Sequence, residues 1–201
     1  MRRPHRKLLL AGVLVALVVI VWLVLAQNCP SAGIALTAKQ RTLHRLKNRT
    51  TFPQAADFDT RITLDQLLQR GDDHDRWSID RAARIRGYVM DVAYARPEAT
   101  NCYCGRDIHI TIANRKEGAK NEQVVVEVTP KLRDWAKGQG MDWSEQTLKA
   151  QLVGHWCEFE GWLYFDVGHA EEAENTAPNN PINWRATAWE IHPITKITVI
   201  N

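Results

Sequence analysis

Three strand-like segments, a helical stretch and two further strands, in that order, predict a mainly β fold: an OB-fold-like five-stranded barrel with a helical insert between strands 3 and 4. Three observations carry this. Residues 107–112 alternate strictly, with Ile108, Ile110 and Ile112 on one face and Asp107, His109 and Thr111 on the other, the period of a half-buried strand. Residues 131–150 have helical character and separate the strands into groups of three and two. Gly87 and Gly161 fall within the first and fourth strands, where a small barrel must coil sharply.

A chain of 201 residues, 45% of them hydrophobic, leaves room for about one domain once an N-terminal apolar segment is set aside. Of 26 basic residues, Arg2, Arg3, Arg6 and Lys7 precede that segment. A further five, Lys39, Arg41, Arg45, Lys47 and Arg49, sit in a stretch without acids. The remaining 17 face all 23 acidic residues, so the folded part is mildly acidic. That argues against a non-specific nucleic-acid binder held by phosphate contacts.

Residues 8–26 form an uninterrupted apolar run, close to the roughly 20 residues that span a bilayer and longer than the usual core of a cleaved signal. It reads as a transmembrane signal anchor, with residues 1–7 as a basic cytoplasmic tail and everything after it on the far side. Cleavage after Val24-Leu25-Ala26 is the competing reading. Residues 27–56 lack sustained periodicity and read as a basic stalk or linker, and residues 57–201 as the OB-like extracytoplasmic domain.

Within that domain, Thr63 should cap a short helix ending near Gly71. Asp72-Asp73-His74-Asp75 follows as a solvated turn; it lacks the glycine and distal glutamate of a calcium loop. Strand one runs over residues 84–95, with Gly87 marking a bulge or bend. Strand two is 108–113 and strand three 123–129, closed by Pro130. The helical insert breaks at Gly138-Gln139-Gly140 and restarts at Ser144. Strand four, 152–166, sets Cys157, Phe159 and Leu163 against Trp156, Glu158, Glu160, Trp162 and Tyr164. A loop over 167–183 leads to strand five, 185–200, interrupted at Pro193.

Arg86-Gly87-Tyr88-Val89, Asn101-Cys102-Tyr103-Cys104, Asp107-Ile108-His109-Ile110, Val125-Val126-Glu127-Val128-Thr129-Pro130 and Arg185-Ala186-Thr187-Ala188-Trp189-Glu190-Ile191-His192-Pro193 together resemble a family of uncharacterised bacterial exported proteins with an OB-like domain. The resemblance covers residues 57–201 and implies the same fold, with no activity to carry over. With the anchor, it implies a single-pass protein of the bacterial inner (cytoplasmic) membrane whose C-terminal domain is periplasmic.

The candidate polar site comprises Asp107, His109, His169, Arg185, Glu190 and His192. If strands two and five share a polar face, His109 and His192 approach each other and His169 joins from the loop, a set that would suit zinc with an open fourth position. This supports a His-dependent zinc hydrolase, and the faint likeness of Asp166-Val167-Gly168-His169 to a metal-nuclease motif extends it to a nuclease. Of the cysteines, Cys102 and Cys104 are too close to pair with each other. One of them could reach Cys157, which is otherwise a buried thiol, or the two could hold a soft metal. Cys29 beside the membrane would link two stalks.

Trp156, Trp162 and Tyr164 alternate onto one face of strand four and could stack on a ligand, unless the helical insert covers them. Glu158 and Glu160 between the rings disfavour nucleic acid and suit an oligosaccharide, peptide or envelope-protein ligand. The sequence therefore points first to a membrane-anchored binding or envelope-associated module, with the metal hydrolase as its alternative.

Overall fold

Alternating apolar residues close the barrel. The computed structural model describes residues 12–21 and 29–200. Strand β1 spans Ala82–Tyr94, β2 Ile108–Ala113, β3 Val124–Val128, β4 Trp156–Phe165 and β5 Trp189–Ile200. They pair in the order β1-β2-β3-β5-β4, and β4 returns to β1 to complete the barrel. This closed five-strand order, with helices between β3 and β4, is OB-like.

Ile108, Ile110 and Ile112 of β2, Val124, Val126 and Val128 of β3, and Phe159 and Leu163 of β4 fill the interior. At roughly 25 cal/mol per Å² of apolar surface, such burial is the main favourable term in the fold. Two junctions differ in strength. β4 and β5 pair along most of their length, whereas β3 and β5 share a single registered parallel pair, Val126 with Ile191.

The mid-strand glycines behave differently from each other. At Gly161 the β4–β5 register shifts, and a Cβ would stand 2.2 Å from the Pro193 carbonyl oxygen. Only a residue without a side chain permits that approach. In β1 the irregularity lies between Val89 and Asp91 rather than at Gly87. Gly87 instead leaves room for the side chains of Ile112 and Leu64. Pro193 does not interrupt β5; it falls where the register with β4 shifts, so its missing N–H costs no ladder bond.

Four short helices complete the domain: α1 at Ala38–Lys47, α2 at Leu64–Leu68, α3 at Pro130–Gly138 and α4 at Glu145–Leu152. Each begins where a hydroxyl side chain accepts from an early backbone N–H: Thr37, Thr63, Thr129 and Ser144 respectively. Leu132, Ala136, Trp143, Leu148 and Leu152 of the insert join the barrel core, while Lys149 and Arg133 reach Asp91 and Tyr94 of β1.

Residues 29–56 correct the expectation of a stalk. Cys29 is disulfide-bonded to Cys102 with Cα atoms 5.8 Å apart. Asn48 donates to the Thr100 carbonyl at 2.9 Å, Arg49 to that of Ile79 at 2.9 Å, and Lys131 to that of Cys29 at 2.9 Å. The basic helix α1 is thereby part of the domain, and Cys29 is used within the chain instead of linking two stalks. Cys104 and Cys157 are free, and Cys157 is buried; it has no bond to the Cys102–Cys104 turn.

The Asp72–Asp75 turn also departs from a solvated loop. Asp73 is fully buried, accepts from Asn175 and Arg76, and its carbonyl accepts from the Trp189 indole. Residues 12–21 are helical, but the rest of the 8–26 run and the 1–7 tail lie outside the described residues. Among the described residues no helix is long and apolar enough to cross a membrane.

Candidate functional site

The outward faces of β2, β3 and β5 carry polar side chains that should meet water, and they do not. β2 presents His109, β3 presents Glu127, and β5 presents Glu190 and His192, while Asp107 stands just before β2. The loop between β4 and β5 folds over them, with Ala186 donating to the Gln123 carbonyl at 2.8 Å. On the other side the last turn of α1 brings Lys47 over the Tyr164 ring at 5.6 Å. Asp107, Glu127, Glu190 and His192 are consequently no more than 1% exposed. On the strand face opposite the isoleucines, Asp107 is therefore buried and His109 half-buried.

Inside this covered layer the charges are arranged in a chain. His109 Nε2 lies 3.0 Å from Glu127 Oε1, and Glu127 Oε2 lies 3.3 Å from His192 Nδ1. The same Nδ1 is 3.2 Å from Glu190 Oε2, whose partner oxygen is 2.7 Å from Arg185. Arg185 reaches Asp166 at 3.6 Å, and Asp166 holds His169 at 2.5 Å. Lys47 pairs with Glu98 at 3.2 Å beside this group.

Burial and charge compete at each member. Burial alone would strip His192 of its proton, but Glu127 and Glu190 outweigh it and hold the imidazole up to about 10. Desolvation opposes ionisation of Glu127 too, yet His109 and His192 keep its carboxyl well below the usual range. Glu190 moves the other way, raised by burial and by Glu127 against the pull of Arg185. Asp107 is raised to about 6, chiefly by burial, with Glu127 adding to it and His192 opposing.

The three imidazoles expected to form a metal set do not converge. Trp184 stands between two of them, stacked on His109 at 6.1 Å between ring centroids and edge-on to His169 at 5.7 Å. His169 is committed to Asp166, which also accepts from the Gly168 N–H and faces Arg185; the Asp-Val-Gly-His stretch is a turn that ties His169 into the ion-pair chain. Asp107, Glu127 and His192 do come together, with donor atoms all within 4.8 Å of one another. This buried triad could bind a metal. A hydrolytic centre needs a path for substrate, and this cluster is closed by Tyr164, Lys47 and the β4–β5 loop.

Glu127 and Lys47 belong to the site although neither was among the candidate site residues, and Asp166, noted only within the nuclease-like stretch, belongs to it through Arg185 and His169. The signal for Glu127 was present: it is the one acid in Val124–Val128, a strand with valines at both parities, which marks burial on both faces. An acid there requires partners.

The expected stacking residues separate as well. Tyr164 is 4% exposed and packs beneath Lys47, so it is closed to ligand. Trp162 donates its indole N–H to the Thr51 carbonyl at 2.8 Å and lies under Arg49. Trp156, 38% exposed, meets Tyr88 edge-on at 5.8 Å and lines a groove of about 660 Å³ with Thr63, Asp65, Arg84, Asn114 and Glu158. A larger groove of about 1010 Å³ contains Arg61, Arg76 and Arg81. Those cations are already engaged, by Asp59 at 2.7 Å, Asp73 at 3.1 Å and the Phe58 carbonyl at 3.0 Å respectively.

No protein-family model and no curated protein matches the chain. Among solved structures it is similar to the crystal structure of yeast Stn1 and Ten1, with a TM-score of 0.31 and 9% identity over 60% of this chain and 43% of that one. The chain thus spans less than half the length of that structure. A likeness so slight carries no argument about this protein; the OB-like assignment rests on its own strand order and helical insert.

Proposed function

We propose that this protein is a membrane-anchored extracytoplasmic binding module that takes an oligosaccharide of the bacterial envelope in the groove beside Trp156. The observation that carries the reading is the exposed Trp156 ring among side chains of both signs. Arg84 and Arg86 pair with Glu160 and Glu158 at 3.0 and 2.7 Å across β1 and β4, next to Thr63, Asp65 and Asn114. A sugar offers an apolar face to a ring and hydroxyls to paired charges, whereas a phosphate backbone would meet Asp65 and Glu158. The groove volume falls in the usual range for small-ligand sites of about 300–1,000 Å³. The face that OB barrels commonly use is covered by this chain's own loop and α1.

Anchoring is supported by the apolar 8–26 run and by the disulfide, which joins the barrel to Cys29 only a few residues beyond that run. The barrel would sit close against the bilayer, facing the cell wall. The test is calorimetric titration of soluble peptidoglycan oligosaccharides into the protein and into Trp156→Ala. Stacking of one ring is worth about 1–3 kcal/mol, so the variant should bind at least about fivefold more weakly. Absence of binding to the wild type, or equal binding by both, refutes the groove.

A further inference from the structure

We propose that Asp107, Glu127 and His192 form a divalent transition-metal site, zinc being the expected ion, that clips β3 to β5 and closes the barrel at its weakest seam. The site shares no residue with the Trp156 groove.

Unpartnered atoms point to a ligand. Both oxygens of Asp107 and Nε2 of His192 are buried without a hydrogen-bond partner among the described residues, on side chains 0–1% exposed, while Glu127 Oε2 has only the 3.3 Å approach of His192 Nδ1. Each such atom costs on the order of 1–3 kcal/mol when left unsatisfied. Asp107 is the extreme case: a carboxylate 1% exposed with neither oxygen satisfied. One ion could take one donor atom from each of these three side chains, which lie mutually within 4.8 Å.

The surrounding contacts have the form that metal ligands need. His192 turns Nδ1 toward both Glu190 Oε2 at 3.2 Å and Glu127 Oε2 at 3.3 Å and leaves Nε2 without a partner, the carboxylate–histidine arrangement that orients a coordinating imidazole. His109 steadies the other oxygen of Glu127 at 3.0 Å. One imidazole nitrogen and two carboxylates suit zinc or manganese. The set has too few oxygens for calcium, which takes 6–8, and no thiolate for copper(I).

Position explains what the ion would do. Glu127 and His192 each follow directly on the residues of the single registered β3–β5 pair, Val126 and Ile191. Every other junction of the barrel has at least five registered pairs. An ion held by both strands supplies the cohesion that backbone pairing does not.

The experiment is elemental analysis of the full chain, solubilised in mild detergent and purified without chelator or metal-affinity resin. About one ion per chain is expected, lost in Asp107→Asn and His192→Gln and retained in Trp156→Ala. Stripping the wild type with EDTA should lower Tm by roughly 5–10 °C, and added Zn²⁺ should restore it. If neither ligand variant folds, cobalt(II) substitution of the wild type decides: visible d–d bands without thiolate charge transfer are expected. Metal-free protein whose Tm responds to neither Zn²⁺ nor Mn²⁺ overturns the proposal. So does an ion retained by both folded ligand variants, or a cobalt spectrum showing sulfur ligation or no bound ion.

Discussion

The guanidinium of Arg185 and the carboxylate of Glu190, neither with any exposed side-chain surface, meet at 2.7 Å. They are five residues apart in the chain, and both ends of the short loop between them are fixed by the contact. Arg185 Nε also donates to the Thr187 carbonyl at 2.7 Å, in the turn where Ala186 bonds to Gln123 just before β3 and Trp184 lies on His109. The lid over the polar layer is thus held from inside by its own buried cation.

Removing that cation leaves Glu190 and Asp166 without their guanidinium. Breaking a buried pair by deleting one partner costs about 3–5 kcal/mol, so Arg185→Met should lose that much in urea unfolding. Arg185→Met combined with Glu190→Gln should lose less than Arg185→Met alone, because the stranded charge is gone. A single variant within about 1 kcal/mol of wild type would show that the pair contributes little.

His169 gives the lid a pH dependence with a definite sign. Its imidazole pKa is raised, first by the hydrogen bond to Asp166 and against the effect of burial. A raised folded-state value means that the contribution is complete below the unfolded pKa of about 6.5 and is lost as pH rises through the folded value. The Tm gap between wild type and His169→Asn should therefore be widest near pH 6 and narrow toward pH 9. A gap that stays constant across this range would mean that the contact does not depend on the proton.

The Cys29–Cys102 bond spans 73 positions of sequence, and closing so long a loop removes much unfolded-state entropy. In the chain-entropy model this is worth about 4 kcal/mol, or a Tm loss of roughly 10 °C when the bond is reduced or Cys29 becomes Ser. Cys104→Ser should leave Tm nearly unchanged, since Cys104 is free. Equal melts for the Cys29→Ser variant and wild type would dismiss the bond as a stabiliser.

Much of the barrel was legible in the sequence because its interior repeats at short range. The alternation of Ile108, Ile110 and Ile112 and the capping residues Thr63 and Ser144 depend on neighbours a few positions away. The site was half legible. His109, Arg185, Glu190 and His192 stood out as polar residues in apolar strands, but their covering comes from Lys47 and from the β4–β5 loop, and nothing local announces a long-range cover. Lys47 sits in a run of cations that reads as solvated, yet it is 6% exposed because a disulfide 18 residues earlier draws its helix onto the barrel. Tyr164 followed the outward parity of β4 as expected; parity sets direction, and burial depends on what lies in that direction.

Two glycine substitutions should have opposite signs for reasons visible in the backbone. At Gly161 a methyl group would meet the Pro193 carbonyl oxygen at 2.2 Å and Ile191 Cγ2 at 2.6 Å. Backbone of the paired strand cannot rotate aside as a long side chain can, so β4 and β5 would have to separate where their register already shifts. Gly161→Ala should cost about 3 kcal/mol, the upper end for overpacking. Gly138, the last residue of α3, has nothing within 4 Å of the added methyl, and its φ is not in the left-handed region. There the substitution reduces the freedom of the unfolded chain and favours the helix by about 0.4–1 kcal/mol. Urea unfolding of the two variants in parallel checks both signs at once, and a tolerated Gly161→Ala would mean that β5 does not cross β4 as closely as the barrel requires.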